Sequence, residues 1–220
     1  MSATDIFLPR WGNRKTRLLN RVGDGGSSPT PRLHRRDWWV ATLPAHSDAV
    51  ALIQSLHYAQ GAPNTSTFRH ALYRRDSWPL LDGPYGVALW IPPTRGAAET
   101  VDPEWRGVLA LSRFVLDPTV PVNGASFLLA HSMRALDRKR WPTLLTYADT
   151  AQGHTGTIYK ATGWECLGPV AAGDVWKDES GVQRGRKRGG RTLLAAEMRA
   201  LGFTRQPQLP KIKFVHRMES

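Results

Sequence analysis

The stretch LLTYADTAQGHTGTIYKATGW, Leu144–Trp164, decides how the rest of the chain is read. Leu144–Asp149 is a short apolar run closed by a carboxylate, the pattern of a buried strand with a polar end. Gln152, Gly153 and His154 then break the run. Gly156–Thr162 has the composition of a short helix, and Gly163 stops it because glycine adopts the left-handed conformation that ends helices. Trp164–Leu167 returns as a strand. Strand, helix and strand packed into so short a stretch predict layered α/β architecture.

Reading outward gives the same class. Toward the N-terminus, Asp37–Leu43 (DWWVATL) suits a strand closed by Pro44. Ser47 is a candidate helix cap, with Asp48 in the first turn and Ala49, Val50, Leu52, Ile53, Leu56 and His57 at helical spacing. Gly61 and Pro63 end that helix. Phe68–Arg75, Tyr85–Ile91 and Arg106–Leu116 read as strands, the latter two stopped by Pro92-Pro93 and Asp117-Pro118. Ser126–Leu136 presents Phe127, Leu128, Met133 and Leu136 on one helical side. Toward the C-terminus, Thr192–Leu201 is amphipathic and stops at Gly202, and Lys211–Val215 is a closing strand. The expected fold is α/β (α+β), with a mixed, mostly antiparallel twisted sheet flanked by helices.

Charge divides the chain differently. Its 220 residues carry 30 Lys+Arg and 18 Asp+Glu, a net +12. Residues 1–36 hold eight basic and two acidic side chains, residues 37–168 eleven of each, and residues 169–220 eleven basic and five acidic. Two flanks of +6 therefore bracket a neutral centre. The first, rich in Gly, Ser and Pro, reads as a flexible basic arm over 1–36; residues 37–220 read as the folded domain. The second contains a loop over 180–191, where Arg184, Arg186, Lys187, Arg188 and Arg191 alternate with glycines. This excess suggests a polyanionic partner, nucleic acid or an acidic membrane surface, or else a merely solvated tail, with Lys211 and Lys213 as further candidate contacts. One cysteine, Cys166, excludes an internal disulfide and a Cys-based zinc finger, and reads as a core residue. No apolar run is long enough to span a membrane and no secretory leader is visible, so a reducing cytoplasm is the expected compartment.

Several side chains carry chemistry. Asp149 at a strand end is a candidate general base or metal ligand, or simply a cap for the next turn. Arg113 beside Ser112, in an apolar strand, would hold a phosphate or carboxylate, or face solvent. Asn123, Gly124, Ala125 and Ser126 form a strand-to-helix turn suited to an anion, with Ser126 as donor to a phosphate or as an N-cap. His57 and Tyr58, with Asp149, offer imidazole, phenolate and carboxylate ligands suited to iron, or else a helix end and core packing. Trp38, Trp39, Trp78, Trp90 and Tyr58 are candidates for stacking on an extruded base, or core.

Taken together these segments resemble the GCN5-related N-acetyltransferase (GNAT) superfamily, and more specifically the Mom family of bacteriophage DNA-modification proteins. The matching residues are Leu56-His57-Tyr58, Ala110–Phe114, Asn123–Leu129, Tyr147-Ala148-Asp149, Gly153–Tyr159 and Gly163-Trp164. The resemblance implies a GNAT-like catalytic domain over 37–220 that converts adenine in DNA to N6-carbamoylmethyladenine and so protects phage DNA from restriction in the infected host. It implies double-stranded DNA as partner, an active-site role for the His57-Tyr58 pair, to which Asp149 and Ser126 are added as candidate catalytic residues, a proton-donating role for Tyr159 toward a leaving thiolate, and a donor that is acetyl-CoA or another activated group. The turn Val122–Ser126 departs from the GNAT phosphate loop in having no cation at its start. Alternatives are a GNAT-type acyl-CoA N-acyltransferase acting on a small amine or a protein, and a non-catalytic DNA-binding protein.

Overall fold

The structure is a computed structural model that describes residues 31–44, 49–56, 66–76 and 83–219. The chain divides into two compact units, Met1–Leu145 with Arg217–Ser220, and Thr146–His216. The mixed α/β architecture is the one expected, with a mostly antiparallel central sheet flanked by helices.

The first unit is built on strands β1 (Trp38–Thr42), β2 (Phe68–Arg74), β3 (Gly86–Ile91) and β4 (Val108–Leu116). They pair antiparallel in chain order, Trp38 opposite Arg74, Phe68 opposite Trp90 and Val87 opposite Val115. Strand β5 (Thr143–Asp149) joins β4 in parallel through Val108–Thr143, Leu109–Leu144 and Ala110–Leu145, then runs on into the second unit. Side chains alternate between faces along each strand. Ala71, Tyr73, Val87, Leu89 and Val115 lie on the face covered by Leu52 and Ile53 of helix α1 (Ala49–Leu56). His70 and Trp90 lie on the other, against Ser132 of helix α3 (Gly124–Arg134). Covering both faces explains why the centres of β2 and β3 are buried without alternation. A short helix α2 (Arg95–Glu99) was not foreshadowed by apolar periodicity.

Helix α3 starts two residues before the Ser126 expected from sequence. Asn123, at φ 73°, turns the chain, and Gly124 begins the helix. A Cβ on Gly124 would stand 2.1 Å from Val120 Cγ1, so its glycine is needed for packing of the turn itself. Ser126 therefore sits inside the first turn, and its hydroxyl donates to the Asn123 carbonyl at 3.1 Å, so it is not the N-cap.

The second unit holds helix α4 (Thr157–Ala161), strands β6 (Glu165–Val170), β7 (Val175–Lys177), β8 (Gln183–Arg184), β9 (Lys187–Arg188) and β10 (Arg191–Thr192), helix α5 (Ala195–Ala200), and strands β11 (Thr204–Gln206) and β12 (Lys211–Arg217). Strand β12 pairs antiparallel with β6, Lys211 opposite Val170 and Val215 opposite Glu165. Strands β8, β7 and β11 form a three-stranded sheet, and β9 with β10 a two-stranded ribbon. Trp176, Leu193 and Met198 make a small core there. Helix α5 begins later than the Thr192 expected, at Ala195, because the Glu197 carboxylate accepts the Leu194 N–H at 2.7 Å and fixes the start. Cys166, expected in the core, is exposed on β6. Among the described residues no helix is long and apolar enough to cross a membrane.

Candidate active site

Asp149 ends β5 with 3% of its surface exposed. Its Oδ1 accepts the Ala151 N–H at 3.1 Å, and its main-chain carbonyl accepts the His154 N–H at 3.2 Å. Its Oδ2 stands 3.5 Å from Lys211 Nζ, at the start of β12. The cap expected as the rival reading is thus present on one carboxylate oxygen, and the other faces the Lys211 ammonium, a partner not expected from the sequence. The 3.5 Å separation is long for an N–H···O bond, so Oδ2 keeps lone-pair capacity for an incoming donor. Lys211 retains 29% of its side-chain surface in solvent, which gives the pair an outlet. A buried carboxylate needs such a partner, since desolvating a charge costs several kcal/mol, about the size of the attraction that offsets it.

The backbone around Asp149 is set by two glycines and a hydroxyl. Thr150 Oγ1 donates to the Pro210 carbonyl at 2.5 Å, tying the end of β5 to the residue before Lys211. Gly153 and Gly156 have φ of 71° and 76°, the left-handed region that favours glycine. At Gly156 the requirement is doubled, because a Cβ would lie 2.2 Å from Phe214 Cζ. The turn therefore delivers helix α4 directly onto the Phe214 ring. Tyr159 on that helix is buried, with ring centroids 5.1 Å from Phe214 and 5.7 Å from Trp164. Burial pushes the Tyr159 hydroxyl above its ordinary pKa, and a side-chain hydrogen bond with Thr146 pulls partly the other way. The result is a phenol that holds its proton. Tyr147 is likewise raised by burial.

The remaining expected residues fall into separate groups. Arg113 Nη1 donates to the Ser112 carbonyl at 2.7 Å, and Ser112 Oγ lies 3.4 Å away, so these two are together on β4. Asn123, Gly124, Ala125 and Ser126 form the first turn of α3, where the Gly124 N–H already donates to Pro121. His57 and Tyr58 lie outside the described residues. The iron expectation finds no support: Asp149 meets an ammonium and an N–H, groups that compete with a metal ion for its oxygens. Among the described residues no group of three or more His, Cys, Asp or Glu is placed to hold one. Lys211, expected on a DNA face, is the partner of Asp149, and Thr146 was not singled out from sequence.

The basic segment over 180–191 is not the loose loop expected. Arg184 pairs with Asp178 at 2.7 Å, and Arg191 makes a bidentate pair with Glu197 at 2.9 and 2.5 Å. Hydrogen bonds from Ser180, then from Arg184 and the Val182 N–H, hold Asp178 near pKa 2; Arg191 and the Leu194 N–H do the same for Glu197. Arg186 donates twice to the Leu193 carbonyl. Lys187 and Arg188 are exposed on β9. Lys213 is half-buried on β12.

These features define a mixed α/β domain carrying a buried carboxylate at a strand end. A sequence profile of the Mom protein family matches residues 37–199, and the chain belongs to that family. No curated protein gives a significant sequence match. Similar solved structures include an acetyltransferase of Bacillus subtilis in complex with CoA, 6% identical over 83% of this chain and 99% of that one, TM-score 0.49. An IAA acetyltransferase from Bacillus cereus is 9% identical over 82% and 99%, TM-score 0.47. The ribosomal-protein-S18-alanine N-acetyltransferase of Escherichia coli is 10% identical over 83% and 95%, TM-score 0.46.

Proposed function

We propose that this protein modifies DNA, converting adenine to N6-carbamoylmethyladenine in the manner its family membership implies, and so shields phage DNA from restriction inside the host cell. The observation that supports it is the Asp149 carboxyl, buried in a chain of the Mom family with one oxygen committed to the backbone and the other available beside Lys211. The adenine amino group is a weak nucleophile whose lone pair is delocalised into the ring. It needs a base as it attacks, and a positioned carboxylate contributes about 10²–10⁴-fold to such a step. In the reaction N6 forms a bond to a donor CH2 that bears a carboxamide. The donor's bond to its leaving group breaks with both electrons, and the N6 proton passes to Asp149. One attack on acetyl-CoA would instead join N6 to a carbonyl carbon, so the donor supplies the CH2 or further steps follow. N6 is paired and stacked in a duplex, and the base must be extruded to react. Lys187 and Arg188 offer phosphate contacts.

The test is direct. DNA from cells expressing the protein is digested to nucleosides and weighed. A deoxyadenosine heavier by one carbamoylmethyl group is the expected result, and its absence in cells with intact protein overturns the reading.

A second reading, acyl-CoA N-acyltransfer to an amine, is favoured by Tyr159, which burial keeps protonated and hence able to protonate a departing thiolate. Thiol release from acetyl-CoA with an added amine, without a DNA adduct, would select it.

A further inference from the structure

The first unit contains an open cavity of about 470 Å³ where the chain enters β1. Its wall carries four arginines, Arg32, Arg36, Arg74 and Arg75, against two carboxylates, Asp37 and Asp76. Arg74 pairs with Asp76 at 2.5 Å and Arg36 with Asp37 at 3.8 Å. Among the described residues neither Arg32 nor Arg75 has a carboxylate within salt-bridge distance. Within that set, two guanidinium groups thus face one opening without a counter-charge, the opposite of the arginine pairing on the β8–β10 segment.

The floor is aromatic. Trp38 is 6% exposed, meets Tyr85 edge-to-face at 5.3 Å, and has the Arg74 guanidinium 5.9 Å above its ring. One side is the loop before α3, through Thr119 and Pro121. That side is fixed to the arginine-bearing segment by main-chain bonds, Leu33 N–H to Val122 O at 3.0 Å and Val122 N–H to Pro31 O at 3.1 Å. The arginine at position 32 is therefore held in a parallel bridge with Val122, not on a free tail. Planar guanidinium forks match phosphate oxygens two at a time, and an aromatic floor suits the sugar or base beside them. The volume lies within the range of small-ligand sites, about 300–1,000 Å³, and suits one nucleotide unit.

We infer that this cavity is a seat for one nucleotide of a DNA strand, its phosphodiester held by Arg32 and Arg75 and its sugar-base face toward Trp38 and Tyr85. The inference rests on the reading of DNA as the substrate and adds a contact site to it. The test measures affinity for a short duplex against salt with the full chain. Removing one cation–phosphate interaction makes the log–log slope shallower by about 0.9. The Arg32→Gln/Arg75→Gln variant should be shallower by about 1.8 than wild type. Arg95→Gln/Arg106→Gln removes the same charge from residues that do not line the cavity, and should change the slope by less than half as much. Equal slopes in the two variants, an unchanged slope in the first, or no DNA binding by wild type each overturn the seat. Binding of deoxyadenosine monophosphate that the first variant loses, with an unchanged DNA slope, would make it a free-nucleotide site and also overturn the proposal. The nucleoside mass measurement separates the two ideas. A normal adduct with an unaltered slope sinks the seat alone, and a shallower slope without any adduct sinks the enzyme reading alone.

Discussion

His70 and Asp149 are both buried ionisable side chains, and their surroundings differ in kind. His70, in the first unit, is 1% exposed and its Nδ1 shares a 2.6 Å hydrogen bond with Ser132 Oγ, which in turn accepts from Trp90 Nε1 at 2.7 Å. A hydroxyl carries two lone pairs and one proton, so Ser132 accepts from Trp90 and still bonds the imidazole nitrogen in either tautomer. The three polar groups satisfy one another, and burial holds the imidazole down to about 4, so it is neutral. Asp149, in the second unit, has one oxygen bonded to a main-chain N–H and the other only loosely held by a lysine that reaches solvent. A closed polar network stores stability. An incomplete one with an outlet is equipped for proton transfer.

The largest test of this contrast is Asp149→Asn. The amide keeps an oxygen for the Ala151 N–H, so the turn is retained, but it can no longer accept a proton from substrate. Adduct yield should fall by about 10²–10⁴-fold while the thermal midpoint changes little. Full yield would remove Asp149 from the chemistry and erase the distinction.

His70 makes the complementary prediction, in stability. Its folded pKa of about 4 lies below the ordinary value of 6.5, so the unfolded chain binds more protons between these values. Stability is complete above pH 6.5 and declines as pH falls toward 4, by about 3 kcal/mol in all. Chemical denaturation at several pH values measures it. The His70→Gln variant should lose the pH dependence across this window; an equally steep profile in that variant would assign the effect to other groups.

The fold was legible where burial leaves a period. Strands β1 and β3 to β5 announced themselves as runs of apolar residues closed by Pro or Asp, and β2 by its alternation. Strands β7 to β11 did not, because each is only two or three residues long and most of those residues are exposed. Asp149 was legible as a polar end to an apolar strand. Its partner was not, because Lys211 at the start of an alternating strand looks like surface charge until β12 brings it beside β5. The basic segment over 180–191 is the instructive miss. Arg184 and Arg191 have their carboxylates only six residues away, at Asp178 and Glu197. Counting net charge passed over both pairs, whereas pairing opposite signs along a two-residue strand would have found them.

Ser132→Ala sharpens the first half of the comparison further. It removes the hydroxyl that bonds both His70 Nδ1 and Trp90 Nε1 in a buried site. Leaving a buried polar group without its partner costs about 1–3 kcal/mol, and relaxation shared by the two groups puts the expected loss at about 2 kcal/mol. Adduct yield per folded molecule should be unchanged. A loss below about 0.5 kcal/mol, roughly the noise of such measurements, would mean that the network is not closed as described.

Tyr159 is the intermediate case, and its variant has the smallest expected effect on stability. Like His70 it is enclosed, between the Phe214 and Trp164 rings, and its hydroxyl has a partner in Thr146. Like Asp149 it sits on the turn that the Mom-like segment builds. Tyr159→Phe keeps the ring packing and removes only the hydroxyl, so it should cost about 1 kcal/mol, the net worth of one hydrogen bond. Adduct yield decides which side Tyr159 belongs to. If the donor's leaving group needs no proton, yield stays within about twofold and Tyr159 is structural. If a thiolate departs, the buried phenol is its proton source, and yield falls by the same factor of about 10² or more that marks general-acid catalysis. The outcome thus fixes the chemical class of the donor through a residue that touches none of the charged groups.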